Sequence, residues 1–180
     1  MLKKFTPTWR VKSIYQIDPD QLKAVGIKAV LTDLDNTLIA WNNPVATKET
    51  LQWIQRMKEA DMPVVIVSNN SGGRVKKVAD LLDVQFIPKA RKPKISGLLR
   101  AVKQLQLDKT EVVMVGDQLI TDVWAGNRAG IRTIHVLPVV DNDEWKTKLN
   151  RSIERKVLMK WLKYQSPDEW EDSINGVDYK

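Results

Sequence analysis

The stretch Ile27–Leu38, IKAVLTDLDNTL, decides the fold. Ile27 to Thr32 is a short apolar run of strand character, and it breaks into two carboxylates, Asp33 and Asp35, followed by Asn36 and Thr37. Side chains alternate along a strand with period two, so Asp33 and Asp35 share a side if strand geometry continues that far. Two carboxylates at the end of a buried strand repel each other and lose hydration unless a cation or a proton compensates. Such an arrangement points to chemistry rather than to folding.

On the N-terminal side of this strand lies an arm carrying Trp9, Val11, Ile14 and Tyr15, then IDPDQLKAVG. Here Asp18 caps a short helix, Pro19 takes its first position and Gly26 closes it. On the other side, LIAWNNPVATKE is too short to hold an inserted domain. A helix over about residues 47–60 follows, with Leu51, Ile54 and Met57 on its apolar face. Pro63 leads into a second buried strand, VVIVSNN, which ends in Ser68, Asn69 and Asn70. Gly72 and Gly73 make a turn, and RVKKVADLLD reads as a helix with Val75, Val78, Ala79 and Leu82 inward. VQFIP is a third strand. Pro93 opens a helix whose Ile95, Leu98, Leu99, Val102 and Leu105 follow the 3.6-residue period. EVVMVGD is a fourth strand, a helix spans about Thr121 to Asn127, and IRTIHV is a fifth strand. Short apolar strands alternating with amphipathic helices define an α/β fold with a central parallel sheet of about five strands, covered on both faces.

A chain of 180 residues suits one domain with a full core. It has no cysteine, which removes disulfides, thiolate catalysis and cysteine metal sites, and its single histidine, His135, excludes a histidine-rich metal cluster. The opening MLKKFTPTWRVKSIY lacks the apolar run of a signal peptide, and no stretch approaches the ~20 apolar residues of a membrane span. The expected location is the cytoplasm, with peripheral attachment to the inner face of the membrane as the one variant. The formal net charge is +7, which favours anionic partners. Residues 71–109 hold ten basic and three acidic residues, residues 143–165 hold seven and three, and residues 166–180 hold one and five. The charge therefore lies in two blocks followed by an acidic tail.

Parallel sheets bind ligands at the carboxyl ends of their strands, where the strand order reverses. That rule gathers Asp33 and Asp35, Ser68 and Asn69, and Asp117 at one place, with Arg91 and Lys92 following the third strand. Three carboxylates, a hydroxyl, an amide and two cations around a point are what a Mg2+ ion and a phosphate together require.

DLDNT at 33–37, VSNN at 67–70, RKP at 91–93 and GDQLITD at 116–122 resemble, in order and spacing, the four motifs of the haloacid dehalogenase superfamily of phosphohydrolases. The resemblance covers about residues 27–136. Within the superfamily the chain is similar to the uncapped subclass IIIA and to a bacterial family related to phosphatidylglycerophosphate phosphatase. It implies a Rossmannoid three-layer sandwich without a large cap. It also implies a catalytic core over 27–138; from the residues themselves, an N-terminal arm and short helix over 1–26 packs on that core, and a basic C-terminal helix over 139–165 and an acidic tail over 166–180 follow it.

By the same resemblance Asp33 is the nucleophile and Asp35 the general acid and base, which agrees with a chemistry that needs one carboxylate to attack phosphorus and another to move a proton. Asp33 through its carboxylate, Asp35 through its backbone carbonyl and Asp117 would ligate Mg2+, while Asp122 would orient waters or serve as an occasional ligand. Ser68, the amide of Asn69 and Arg91 would hold phosphoryl oxygens, and Lys92 would neutralise charge on nucleophile and phosphoryl group, a task that Arg91 or Lys94 could share. His135 is expected to be a packed or surface imidazole rather than a ligand. Trp41, where a cap would otherwise be inserted, either packs on the flap after the first strand or covers the leaving group.

From Asn142 to Gln165, Trp145, Leu149, Ile153, Val157, Leu158, Trp161 and Leu162 follow helical spacing among basic residues. Such a stripe packs on the chain's own core, on a second copy as a homo-oligomer, or on a membrane surface. The tail is expected to be mobile in part and to lie across basic surface. The main functional expectation is a Mg2+-dependent phosphomonoester hydrolase working through an aspartyl phosphate, with a phospholipid head group as leading substrate and a soluble or protein-borne phosphate as the rival. The alternative class is a nucleic-acid or ribosome-associated protein, which the basic composition permits and the acidic pocket opposes.

Overall fold

The computed structural model describes residues 2–43, 45–140 and 170–174. The strands are β1 (Trp9–Val11), β2 (Ala29–Thr32), β3 (Val64–Val67), β4 (Gln85–Ile87), β5 (Val112–Gly116) and β6 (Arg132–Val136). The helices are α1 (Pro19–Ala24), α2 (Lys48–Glu59), α3 (Gly72–Leu82), α4 (Ser96–Leu105) and α5 (Ala125–Ala129). The strands form one sheet in the order β1-β6-β5-β2-β3-β4, and every pairing is parallel. From β2 the chain winds first toward β3 and β4 and then back to β5 and β6, so the order reverses beside β2.

Alternation along the strands builds the three layers. Val30, Val64, Ile66, Val113 and Val115 share a core with Leu22 of α1, Trp53, Ile54 and Met57 of α2, and Val75, Val78 and Leu82 of α3. Their neighbours Leu31, Val65, Val67 and Met114 point to the opposite face, against Leu98, Ala101 and Val102 of α4 and Ala125 and Ala129 of α5. This is the three-layer α/β arrangement anticipated from the sequence. The connection from β2 to α2 and the helical connection from β3 to β4 leave no large cap domain among the described residues.

Five expectations change in detail, the simplest being that Gly72 and Gly73 form the first residues of α3 rather than a turn before it. Among the described residues the sheet has six strands rather than about five, because Trp9–Val11 of the arm pairs with β6 in register Trp9–Ile134, Arg10–His135 and Val11–Val136. Three residues with an arginine in the middle carry too little periodicity to announce a strand. In α2, Leu51 is 47 % exposed and Trp53 is fully buried, so the inward face is Thr50, Trp53, Ile54 and Met57. That set is the i, i+3, i+4, i+7 pattern, from which Leu51 is rotated away. α4 begins at Ser96 rather than at Pro93, which sits in a cis peptide with Lys92. The helix expected over Thr121–Asn127 is one π-helical turn, Leu119–Trp124, running into α5.

The caps follow the sequence. Asp18 accepts hydrogen bonds from the backbone N–H groups of Asp20 and Gln21 at the start of α1, and Thr47 accepts from Thr50 at the start of α2. The basic amphipathic stripe of residues 143–165 lies outside the described residues. Of the acidic tail, residues 170–174 run along the outer edge of β1: the Lys12 N–H donates to the Glu171 carbonyl, the Glu171 N–H donates to the Arg10 carbonyl, and Ile174 is buried. Asp172 accepts from Lys12 Nζ at 2.8 Å. This part of the tail is therefore fixed across a basic edge by backbone bonds. Among the described residues, no helix is long and apolar enough to cross a membrane.

Trp53 ties α2 to the loop before α1 through a 3.0 Å hydrogen bond from Nε1 to the Ile17 carbonyl. Trp53→Ala is expected to lower unfolding free energy by about 3–5 kcal/mol. Trp53→Phe, which keeps most of the apolar volume and leaves that carbonyl unpaired, is expected to cost about 1–3 kcal/mol. Urea unfolding of the two variants checks both the size and the order of these losses.

Candidate active site

Asp33 follows the last residue of β2, and its backbone N–H still donates to the Val115 carbonyl at 3.0 Å. The sheet ladder thus fixes the position from which its carboxylate extends. Asp117 follows the last residue of β5, next to it. Thr37, in the loop after β2, joins the two strand ends: its hydroxyl donates to Asp117 Oδ1 at 2.9 Å and accepts from the Asp117 N–H at 3.1 Å. The DLDNT run contains this threonine, but only the fold reveals its partner 80 residues away.

Asp122 comes from the π-helical turn, where its Oδ2 accepts from the Gln118 N–H at 3.1 Å. Asp33, Asp117 and Asp122 each present a carboxylate oxygen within 4.8 Å of the others. Gly116 makes this approach possible, since a Cβ there would overlap the Asp122 carboxylate. All three donors are hard oxygens, two of them belong to buried side chains, and the set suits a hard divalent cation, Mg2+.

Lys92 closes the cluster from below. Its Nζ donates to Asp33 Oδ1 at 2.8 Å and to Asp122 Oδ1 at 2.7 Å, and its side chain is 1 % exposed. Burial by itself pulls the ammonium down, but the charges of Asp122 and Asp33 outweigh it and hold Lys92 above its ordinary value. Burial pushes Asp122 up, Lys92 opposes this and Asp33 adds to it, leaving the carboxyl at about 6. Both shifts have one origin. A single ammonium faces two buried carboxylates, and the excess negative charge is what a divalent cation would balance.

The loop that delivers Lys92 is held by Asn69. The Asn69 side chain accepts from the Lys92 N–H at 2.6 Å and donates to the Lys92 carbonyl at 2.9 Å. Its side-chain amide is committed to the protein. Ser68 is buried and its hydroxyl accepts from the Asn70 N–H at 3.1 Å, which leaves its own proton to donate. Lys92 turns inward while Arg91, beside it with φ 58°, is exposed, so the structure separates the two cations. Lys94 is exposed as well.

Asp35 lies at the edge of the cleft. Its carboxylate is pushed up by burial and by the Asp33 charge, and is opposed by hydrogen bonds from Arg74 and Asn70. Arg74 is a site residue that the sequence does not single out, standing as it does in a helix with Lys76 and Lys77. Trp41 accepts from Arg74 through its backbone carbonyl at 2.7 Å, which fastens the flap to α3. His135 is buried and its Nε2 lies 3.2 Å from the Asp117 carbonyl, a packed imidazole as expected, behind the carboxylate cluster and against Trp170.

A parallel α/β sheet that gathers three carboxylates and a buried lysine at the reversal of its strand order defines a metal-assisted hydrolase. Residues 39–130 match the haloacid dehalogenase-like hydrolase family. The chain is 46 % identical over 173 residues to a protein of Bacillus subtilis (strain 168) named "Probable phosphatase YqeG", covering 96 % of this chain and 100 % of that one. It is 29 % identical to the chloroplastic/mitochondrial phosphatidylglycerophosphate phosphatase 1 of Arabidopsis thaliana, over 87 % of this chain and 48 % of that protein, so it spans about half of that relative. The cobalt-bound deoxy-D-mannose-octulosonate 8-phosphate phosphatase of Haemophilus influenzae shares the fold with a TM-score of 0.51 at 17 % identity, over 83 % and 96 % of the two chains. The chain belongs to the haloacid dehalogenase-like hydrolases, as a Mg2+-dependent phosphatase akin to the subclass IIIA enzymes.

Lys92→Met removes the ammonium and leaves Asp33 and Asp122 facing each other. In the presence of a chelator this variant is expected to lose about 3–5 kcal/mol of stability, because a buried charge is stranded. Added Mg2+ is expected to restore part of the loss. Denaturant midpoints measured with and without Mg2+ check this, and the Mg2+-induced shift should be larger in Lys92→Met than in the unsubstituted protein.

Proposed function

We propose that the protein hydrolyses phosphomonoesters through a phosphoaspartate on Asp33. The observation that carries this reading is Lys92 bridging Asp33 and Asp122 beside Asp117. A buried ammonium on one oxygen of Asp33 fixes that carboxylate and lowers the repulsion an approaching phosphoryl group would meet.

In the first step an Asp33 oxygen bonds to phosphorus, the bond from phosphorus to the ester oxygen breaks, and Asp35 gives its proton to that oxygen, releasing an alcohol. In the second step a water attacks the phosphoaspartate, Asp35 takes the water's proton, and inorganic phosphate leaves with Asp33 restored. Ser68 through its hydroxyl, Asn69 through its backbone N–H and Arg91 from the rim bind the phosphoryl oxygens. Asp33, Asp117, the Asp35 carbonyl and, through water or directly, Asp122 would hold Mg2+, which would supply charge neutralisation of the phosphoryl group. The carboxylate cluster and the family membership favour this enzyme class over the nucleic-acid-binding alternative.

For the natural substrate we propose a phosphate monoester on a glycerophospholipid head group. Two observations support it: similarity to proteins named phosphatidylglycerophosphate phosphatase, and a cleft without a large cap among the described residues, which could meet a head group at a surface without enclosing it. The seven basic residues of 143–165 would add attraction to an anionic bilayer of about 1 kcal/mol per residue brought to the surface.

Mg2+-dependent phosphate release is expected to fall to background in Asp33→Asn, and Asp117→Asn is expected to shift the Mg2+ requirement upward before it alters substrate choice. The lipid assignment is checked by kcat/KM for phosphatidylglycerophosphate in mixed micelles against a panel of soluble phosphomonoesters. A preference above about tenfold, or ~1.4 kcal/mol, is expected. A smaller preference removes the lipid substrate and leaves the Asp33 chemistry standing.

A further inference from the structure

Arg74 takes no part in the chemistry above, yet it is built into the site. Its Nη2 donates to Asp35 Oδ1 at 2.6 Å and its Nε donates to the same oxygen at 3.1 Å. The same Nη2 donates to the Trp41 carbonyl at 2.7 Å. Asn70 Nδ2 donates to the other oxygen, Asp35 Oδ2. The two carboxylate oxygens thus have separate donors, both from the segment after β3.

Helix energetics give no reason for an arginine here. Arg74 lies in the first turn of α3, an 11-residue helix that starts at Gly72 after the cap position Ser71. Positive charge in the first turn opposes the helix dipole. Ser71 makes no side-chain cap bond to soften this. The pair with Asp35 is part-buried, with side chains 27 % and 19 % exposed, and the desolvation of two charges offsets much of what their attraction returns, so stability alone is a weak reason for it. Asp35, in contrast, needs an external hold. It sits past the end of β2, in a loop whose next residue, Asn36, has φ 63°, and no helix or ladder fixes its side chain. Proton transfer requires a carboxylate held to within a fraction of an ångström, and a fork of two N–H groups on one oxygen supplies direction as well as charge.

We propose that Arg74 is a positioning residue for proton transfer by Asp35: with Asn70 it fixes the orientation of the carboxylate, and through the Trp41 carbonyl it holds the flap in register with that carboxylate. The proposal rests on the reading of Asp35 as general acid and base. Arg74 itself stays off the reacting atoms. Its effect on kcat/KM, which ends at phosphoaspartate formation, is therefore confined to substrates whose leaving oxygen needs a proton, which a purely structural arginine would not achieve.

The test uses the full chain at saturating Mg2+ and two soluble esters, p-nitrophenyl phosphate, whose leaving oxygen needs little protonation, and glycerol phosphate, whose alkoxide must be protonated. The variants are Arg74→Ala, Arg74→Lys, Asp35→Asn and the double variant Arg74→Ala/Asp35→Asn. Because kcat/KM reports the steps through phosphoaspartate formation, it isolates the acid role. Arg74→Ala is expected to lower kcat/KM for glycerol phosphate on the order of 10²-fold and for the aryl ester by less than about threefold. Arg74→Lys, with charge but no fork, falls between, and this variant carries the test if Arg74→Ala does not fold. In the Asp35→Asn background, Arg74→Ala is expected to change kcat/KM for glycerol phosphate by less than about twofold, because the group it positions is already gone.

Equal losses for both esters, or losses that multiply in the double variant, overturn the inference while leaving Asp35 in its role. If Asp35→Asn itself fails to discriminate between the esters, the reading of Asp35 falls, and the inference falls with it.

Discussion

The site depends on one buried ammonium. Lys92 Nζ lies between Asp33 and Asp122, two carboxylates that could not otherwise share a space this poor in water. The arrangement is costly to assemble, because three charges leave solvent and only two are matched. Its return is functional: the unmatched charge makes the cluster a receptor for a divalent cation, and the lysine fixes one oxygen of Asp33. The surrounding structure serves this triad. Asn69 holds the Lys92 backbone at two points, Gly116 leaves room for Asp122, and Thr37 latches Asp117 to the loop after β2.

Two layers of control follow from how these groups are supported. The metal-facing carboxylates stand on strand ends and on a buried helical turn, so the rigid sheet sets their separations. Asp35 stands on a loop and depends on side chains from the next segment, Asn70 and Arg74. A centre that binds charge gains from rigidity. In the proposed reaction Asp35 gives up a proton and then takes one back, and the Arg74 fork with Asn70 holds its carboxylate in one orientation for both steps.

Much of this was legible in the sequence because it is periodic or clustered. Apolar strands ending in DLDNT, VSNN and GDQ fix both the layers and the place where polar groups meet. The unread parts are partnerships between residues far apart in the chain. Arg74 differs from Lys76 and Lys77 only by reaching Asp35, 39 residues away. Nothing in VSNN announces that the Asn69 side chain holds the Lys92 backbone, 23 residues away. Trp9–Val11 looks like an arm because its ladder neighbours among the described residues lie in β6 and in residues 170–174. Leu51 misled for a simpler reason: an apolar residue one position off a helical stripe still satisfies a loose count, and only packing shows Trp53 filling the core.

The parallel pairing of β1 with β6 also governs how the protein must be made. Thr8 and Thr133, which exchange hydrogen bonds beside this ladder, are separated by 125 residues. At typical synthesis rates the first strand therefore waits roughly 6–25 s for its neighbour to leave the ribosome. Throughout that interval Trp9 and Val11, which end fully inside the core, have no sheet to join. β2, β3 and β4 can pair as they emerge, whereas the edge that carries β1 closes last and at high loop-closure cost. A charge within an unpaired strand discourages the wrong partners, and Arg10 sets one between these two apolar side chains.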